Sequence, residues 1–515
     1  MAVSISESRV VRVGGGLEIK LSDGRQVTLS LKDLRDGVDL MRSTGDPPEA
    51  RLTGCETERS GGSVKLSHGD GFEQALAAAR IMDLGGLVGP HELPADLVVS
   101  GADWLITCHP SLGVGGESAD EAKSSEAALG IVLDGGLAAR AGRIIAVGAA
   151  DRIRSEVETT AHTVHLDASS MGVAPGLVDP HTHPVFGGQR AREFALRAAG
   201  ATYQEIAAAG GGIRSTMAST REASEAELKA STRRRLRDLL GWGVTTIEGK
   251  SGYSLNLDGE LRMLRIIRDV RDFLPIDISP TLLAAHVLPP EYKQDRQGYV
   301  DLVINEIIPA AVEEGLAESC DVFCEQGAFT THETRRILEA ARKHGLGLRV
   351  HAEQFTDTGG AALAAELGAL SADHLEAIGE EAVAAMAEAG TVAVLLPGAA
   401  LMVGDVFPDG RRLIDAGVKV AIGTDLNPGT SMTESLPLMM SLACTRSGMT
   451  PAEAWLGVTI HGAKAVGRDD VGKLEVGCRA DFIMLDAPEY ASIPYHLAHN
   501  YVRSVYKSGR CALRA

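Results

Sequence analysis

The segment GVAPGLVDPHTHPVF, residues 172–186, runs from a short apolar strand pattern straight into Asp179, His181 and His183. A buried strand followed at once by reactive polar residues suits an α/β barrel, whose chemistry gathers at the C-terminal ends of its strands. Strand-like runs recur downstream in VTTIEGK (244–250), DISPTLLAAH (277–286), DVFCEQGAF (321–329), LGLRVHAEQ (346–354), ALSADHL (369–375), TVAVLLP (391–397) and VKVAIGTD (418–425), and all but TVAVLLP bring polar residues to the strand end. Between these runs lie stretches rich in helix formers, such as EAELKASTRRRLRDLLGWG (225–243) and HETRRILEAARKHG (332–345). Eight β–α alternations over roughly 300 residues predict a (β/α)8 barrel, placed here at 172–466. An open doubly wound sheet also alternates, but it rarely needs eight units.

Outward from the barrel, both flanks turn strand-rich. ADLVVSGADWLIT (95–107), LGIVLDGGLAARAGRIIAVG (129–148) and HTVHLDASS (162–170) precede it, and RADFIMLD (479–486) and VRSVYKSGR (502–510) follow it. These pieces predict one small β-sandwich domain assembled from residues 95–171 and 467–515, with the barrel inserted between its halves. Residues 1–94 are an N-terminal extension to which no chemistry attaches. Within it, VVRVGGGLEIKLSDGRQVTLSL (10–31) predicts one or two hairpins, STGDPPEARLTGCETERSGGS (43–63) a linker or loop, and GFEQALAAARIMDL (71–84) a short helix.

Composition narrows the function classes. The chain has 515 residues and a formal charge of −19, which disfavours a nucleic-acid or anionic-membrane surface because phosphates need a cationic face. Aromatic residues are only 4%, too few for base-stacking platforms. No apolar run reaches the ~18–20 residues that span a bilayer. The N-terminus lacks a signal-peptide core, and seven scattered cysteines without CxxC spacing suit a reducing compartment. The expectation is a cytoplasmic protein that binds neither nucleic acid nor membrane.

The strand ends carry the chemistry. His181 and His183 are two apart, so on an extended strand both imidazoles point to one side. With His351 and Asp425 they make a mixed nitrogen/oxygen set that suits Zn2+ or iron and leaves a position for water. Such a water, its pKa lowered, is a hydrolytic nucleophile near neutral pH. Arg190 offers a planar fork for a carboxylate. Lys250 raises the alternative of a carbamylated bridge between two metals, but His351 and Asp425 complete a single-metal site without it. Cys320 and Cys324, beside the fourth strand, read as buried thiols.

PGLVDPHTHPVF (175–186) resembles the first-strand signature of the amidohydrolase superfamily. FGGQRAREF (186–194), ATYQEIAAAGGGIRST (201–216), EGKSGYSL (248–255), HAEQ (351–354), SADHL (371–375) and TDLNPGTS (424–431) resemble its imidazolonepropionase family. The likeness runs from about residue 95 to the C-terminus and does not extend to residues 1–94. It implies a metal-dependent hydrolase of histidine degradation that opens the ring amide of 4-imidazolone-5-propanoate to N-formimidoyl-L-glutamate. It implies one Zn2+ or Fe2+/Fe3+ per subunit, held by His181, His183, His351 and Asp425. Substrate contacts pass to Arg190, Tyr253, His286, Gln354, Asn427, Gly429 and Thr430, and catalytic roles to His374, Asp425 and Glu353. A homodimer is the implied assembly. The sequence departs from the family at Ser254, where glycine is usual, at GGQR (187–190) and at IHGAKAVG (460–467); none of these removes a ligand. The alternatives are a related deaminase or cyclic amidohydrolase for another small heterocycle, and a scaffold without activity. An anion-binding arginine disfavours a neutral nucleobase, and retention of all four ligands disfavours the scaffold.

Overall fold

The computed structural model describes residues 94–109, 125–201, 211–271 and 273–514, together with the backbone of six strands within residues 5–77. Those six are β1 (Ile5–Val10), β2 (Leu17–Leu21), β3 (Gln26–Leu29), β4 (Leu52–Thr57), β5 (Ser63–His68) and β6 (Glu73–Ala77). They pair antiparallel into two three-stranded sheets, β1-β2-β3 and β4-β5-β6. The hairpins expected in 10–31 are therefore present. Two expectations are corrected. Strand β4 lies inside the stretch read as a linker, and β6 stands where a helix was expected. Ladder bonds to β5 supply both with the partner that local propensity cannot register. The remainder of 78–84 lies outside the described residues.

The predicted barrel is present. Its strands are β12 (Leu177–Thr182), β13 (Val244–Lys250), β14 (Asp277–Ala285), β15 (Ser319–Cys324), β16 (Gly347–Ala352), β17 (Ser371–His374), β18 (Val392–Leu395) and β19 (Val420–Ile422). They form one parallel sheet in that order. Closure falls to backbone bonds at the end of β12 and just beyond β19. The Asp425 amide donates to the His181 carbonyl at 3.0 Å, and the His183 amide to the Leu426 carbonyl at 3.0 Å. Asp179 reinforces the seam by accepting from the Thr424 amide and hydroxyl at 3.0 and 2.6 Å. Every residue of β12 and β13 is buried, as parallel strands covered on both faces require.

The surrounding helices start where their sequences direct. Ser224 with Glu227, Thr330 with Glu333 and Thr450 with Glu453 form reciprocal capping boxes. The helix Thr331–Lys343 then buries Thr334, Ile337, Leu338 and Ala341, a stripe at helical spacing laid on the barrel.

The flank strands are β7 (Leu97–Ile106), β8 (Ile131–Arg140), β9 (Arg143–Ala149), β10 (Val164–Asp167), β11 (Gly172–Pro175), β20 (Phe482–Leu485), β21 (Val502–Lys507) and β22 (Arg510–Arg514). They form one sheet, ordered β22-β21-β20-β11-β7-β8-β9 with β10 alongside β7. The antiparallel pair β11–β20 joins the piece before the barrel to the piece after it. Gly172 is required at this crossing, because a Cβ there would lie 2.0 Å from the Trp104 ring. Leu97, Val99, Leu105, Leu137, Phe482 and Tyr506 make a separate apolar core for this sheet. Charge joins it to the barrel as well. Asp277, at the start of β14, accepts from Arg479 and Lys507, and Lys507 also donates to Asp481. Among the described residues, no helix is long and apolar enough to cross a membrane.

Candidate metal centre and active site

His181 and His183 leave the end of β12 and meet His351 from the end of β16. One ring nitrogen from each lies within 4.8 Å of the others, and all three residues are buried. Nε2 of His181, Nδ1 of His183 and both ring nitrogens of His351 form no hydrogen bond among the described residues. A buried polar atom without a partner is costly, and Nε2 of His181 and of His351, left so within one cluster, point to a shared cation. Asp425 supplies oxygen to the same place, with Oδ1 3.5 Å from Nε2 of both His181 and His183. Burial, aided by Lys250 and the neighbouring rings, keeps His181 and His183 well below the usual imidazole range. Burial likewise takes His351 down to about 4, although Asp321 opposes it. The rings are thus neutral and keep a lone pair for an ion.

Carboxylates hold these rings from behind. Asp373 Oδ2 lies 2.6 Å from His181 Nδ1, and Asp321 Oδ2 lies 2.9 Å from His351 Nδ1. A carboxylate on one nitrogen directs the other toward a metal. Lys250 is fully buried among Glu248, Asp321 and Asp373. Burial alone would lower its pKa, but those three carboxylates outweigh it and keep the ammonium charged.

The rim is built by the strand-end loops. Asn427 organises the loop after β19: its Oδ1 accepts from the Gly429 and Thr430 amides at 2.7 and 2.8 Å, and its Nδ2 donates to the Asp425 carbonyl at 2.7 Å. Arg190 passes over this loop so closely that a Cβ on Gly429 would lie 2.3 Å from its Nη1. Glu193 fixes the arginine through a 2.8 Å bond to Nε and accepts from the Gly212 amide at 3.0 Å. On the other side, His286 stacks against His183 with ring centroids 5.4 Å apart, and Tyr253 lies 5.6 Å from His183. His286 Nδ1 donates to the Gly252 carbonyl at 3.0 Å, which leaves Nε2 as an acceptor. His374 is 5.5 Å from the His351 ring, with Glu376 3.8 Å from its Nδ1. Burial pulls the His374 pKa down, but Glu376, Asp425 and Asp373 together raise it above its usual value. Three of these strand-end residues, Glu353, His374 and Asp425, have φ of +49°, +82° and +50°. Non-glycine residues reach this region at some cost, and such strain collects where a site over-determines the backbone.

Comparison with known proteins agrees with this geometry. The profile of the amidohydrolase family matches residues 173–511. The imidazolonepropionase of Symbiobacterium thermophilum is 48% identical over 420 residues, covering 81% of this chain and 97% of that protein. That of Geobacillus kaustophilus is 48% identical, covering 77% and 94%. The chain belongs to the imidazolonepropionase family of amidohydrolases. Solved structures bear out the fold: a zinc-bound adenosine deaminase from Xanthomonas campestris matches with a TM-score of 0.62 at 17% identity, covering 81% of this chain and 93% of that one. The N-isopropylammelide isopropylaminohydrolase of Burkholderia multivorans matches at 0.59 and 20% identity, covering 82% and 99%.

Within this family architecture, His181, His183, His351, Asp425, His374, His286 and Tyr253 converge on one cluster, and Arg190 with Gly429 forms its edge. Gln354, three residues past His351, is buried. Glu353 lies two residues beyond His351. Its Oε1 accepts from the Gly360 amide at 2.6 Å and its Oε2 from the Ala361 amide at 2.9 Å, so both oxygens cap the helix Gly360–Glu366. Glu325 accepts the Phe355 amide at 2.9 Å and shapes the same loop. Sequence reasoning missed Asp321, Glu376 and Glu193. The signal for Asp321 was an acid inside an otherwise apolar strand, and for Glu376 its spacing of two from His374.

Proposed function

We infer that this chain hydrolyses the ring amide C–N bond of 4-imidazolone-5-propanoate to N-formimidoyl-L-glutamate in histidine degradation. The observation that carries the reading is Arg190, held by Glu193 against the loop after β19 at the edge of a buried cluster of histidines. Hydrolysis adds water across the amide, oxygen to the carbonyl carbon and a proton to the departing nitrogen. The donor set fits one Zn2+ or iron ion per subunit on His181, His183, His351 and Asp425; when bound, that ion lowers the pKa of water and polarises a carbonyl. The zinc in the Xanthomonas deaminase supports zinc as the first candidate.

The chain's own groups do the rest. Arg190, aimed by Glu193, binds the propionate carboxylate through its Nη groups. Tyr253, whose pKa burial raises, stays protonated and donates to the ring. His286, held near a pKa of about 4 chiefly by burial, stays neutral and accepts a ring N–H at Nε2. His374 moves the proton, the Glu376 carboxylate 3.8 Å from its Nδ1 favouring the imidazolium and its Nε2 taking and returning the proton. Glu353 and Asn427 hold the loops that carry Gln354 and Thr430. The assembly implied by the family is a homodimer, which sedimentation measures directly.

The test is a substrate panel followed by ultraviolet absorbance, with metal content determined on the same sample. Imidazolone-propanoate should be consumed and neutral nucleobases left intact. The reverse preference would replace this reading with a deaminase.

A further inference from the structure

Lys250 ends β13 and carries its ammonium into the barrel interior. Its Nζ is 2.7 Å from Glu248 Oε1, 2.7 Å from Asp321 Oδ2 and 3.7 Å from Asp373 Oδ2. The Asp321 and Asp373 oxygens it faces are the same atoms that meet the histidines: Asp373 Oδ2 at His181 Nδ1, and Asp321 Oδ2 at His351 Nδ1. One ammonium therefore stands behind two imidazoles from different strands, with a single oxygen between it and each ring. Without that ammonium, Asp321 and Asp373 lose their shared counter-charge and repel each other in a dry interior, so that one or the other swings away. Either movement would release the Nδ1 end of a ring and free its Nε2 end to turn away. A carbamate on Lys250 would set a fourth negative group among three, so this lysine is poorly placed to bridge two metals.

We propose that Lys250 is a positioning residue for the metal centre, locking the Asp373–His181 and Asp321–His351 pairs in one arrangement so that both Nε2 atoms converge on a single ion. The inference rests on reading His181, His183 and His351 as that ion's ligands.

The test pairs two variants of the full-length protein. Lys250→Met removes the ammonium but leaves three buried carboxylates, which risks unfolding. Lys250→Met combined with Glu248→Gln removes one charge of each sign, preserving the balance of the cluster, and Glu248→Gln alone is its control. Circular dichroism of the metal-free proteins checks the fold. Zn2+ affinity is measured by competition with a chromophoric chelator, and the visible absorption of the Co2+-loaded protein reports ligand geometry. The folded double variant should bind Zn2+ about 10–100-fold more weakly, the usual consequence of losing an outer support of a metal ligand. Its Co2+ bands should shift, while Glu248→Gln stays near the parent. A folded double variant with parental Zn2+ affinity and an unchanged Co2+ spectrum would overturn the proposal. His183→Ala, measured alongside, separates the two readings. Parental Zn2+ affinity there would overturn the ligand set itself. Loss there with none in the double variant would overturn only the role of Lys250.

Discussion

Replacing Arg190 with methionine keeps much of the side chain's bulk and removes its fork. The structure sets the size of the effect. The side chain is 16% exposed, and Glu193 already holds Nε at 2.8 Å, so the guanidinium is aimed before substrate arrives. A hydrogen bond to a charged partner is worth roughly 1.5–3 kcal/mol. At about 1.4 kcal/mol per factor of ten, that is a loss of roughly 10–150-fold in kcat/KM. Glu193 shares the guanidinium charge, which places the expected loss in the lower half, about 10–40-fold. The propionate does not react, so the contact is equal in ground and transition states and the loss should appear in KM. Steady-state rates from imidazolone absorbance separate KM from kcat. The carboxamide analogue of the substrate provides the second half of a cycle. The parent protein should discriminate strongly between acid and amide, and Arg190→Met should not. An unchanged KM, or full discrimination in the variant, would refute the assignment of Arg190 to the carboxylate.

His374→Asn should lower kcat by about 10²–10⁴-fold, the usual worth of a general acid–base, and remove one limb of the pH–rate profile while bound metal is retained; near-normal kcat would rule out its proton-transfer role. Asp277 should govern part of the acid stability. Burial pushes its carboxyl up, but Lys507 and Arg479 outweigh it and hold it at about 2. A depressed carboxyl contributes stability that is complete above its unfolded pKa near 4 and is lost as pH falls from about 4 to about 2. With the side chain 29% exposed, that contribution should be about 1–2 kcal/mol, read as a urea midpoint shift that Asp277→Asn abolishes. A parent protein with no midpoint shift across that window would count against it. A chain beginning at Leu93 should be active, because the barrel strands that carry the site lie beyond it; an inactive, insoluble product would show that the extension completes the fold.

The eight barrel strands were legible because all but the seventh join a run of apolar residues to a polar strand end, a pattern that needs no tertiary information. The pairing of HTH with HAEQ and TDLNPG was legible for the same reason, since strand order places those ends on one face. What remained hidden depends on direction. Glu353 is adjacent to the site in sequence, but its φ of +49° goes with a carboxylate committed to the next helix. Asp321 looked like one more residue of a buried strand until β16 placed His351 Nδ1 2.9 Å from its carboxylate. The misread helix at 71–84 failed differently: helix formers there give way to a ladder with β5 that sequence alone cannot locate.

The most direct test of the central claim is where the oxygen of water goes. The purified protein is incubated with 4-imidazolone-5-propanoate in water enriched in heavy oxygen, and the product is examined by mass spectrometry. Hydrolysis of the ring amide predicts N-formimidoyl-L-glutamate carrying one heavy oxygen in the carboxylate formed from the ring carbonyl. Intact substrate, or a product that has released ammonia with the ring amide unbroken, would contradict the account.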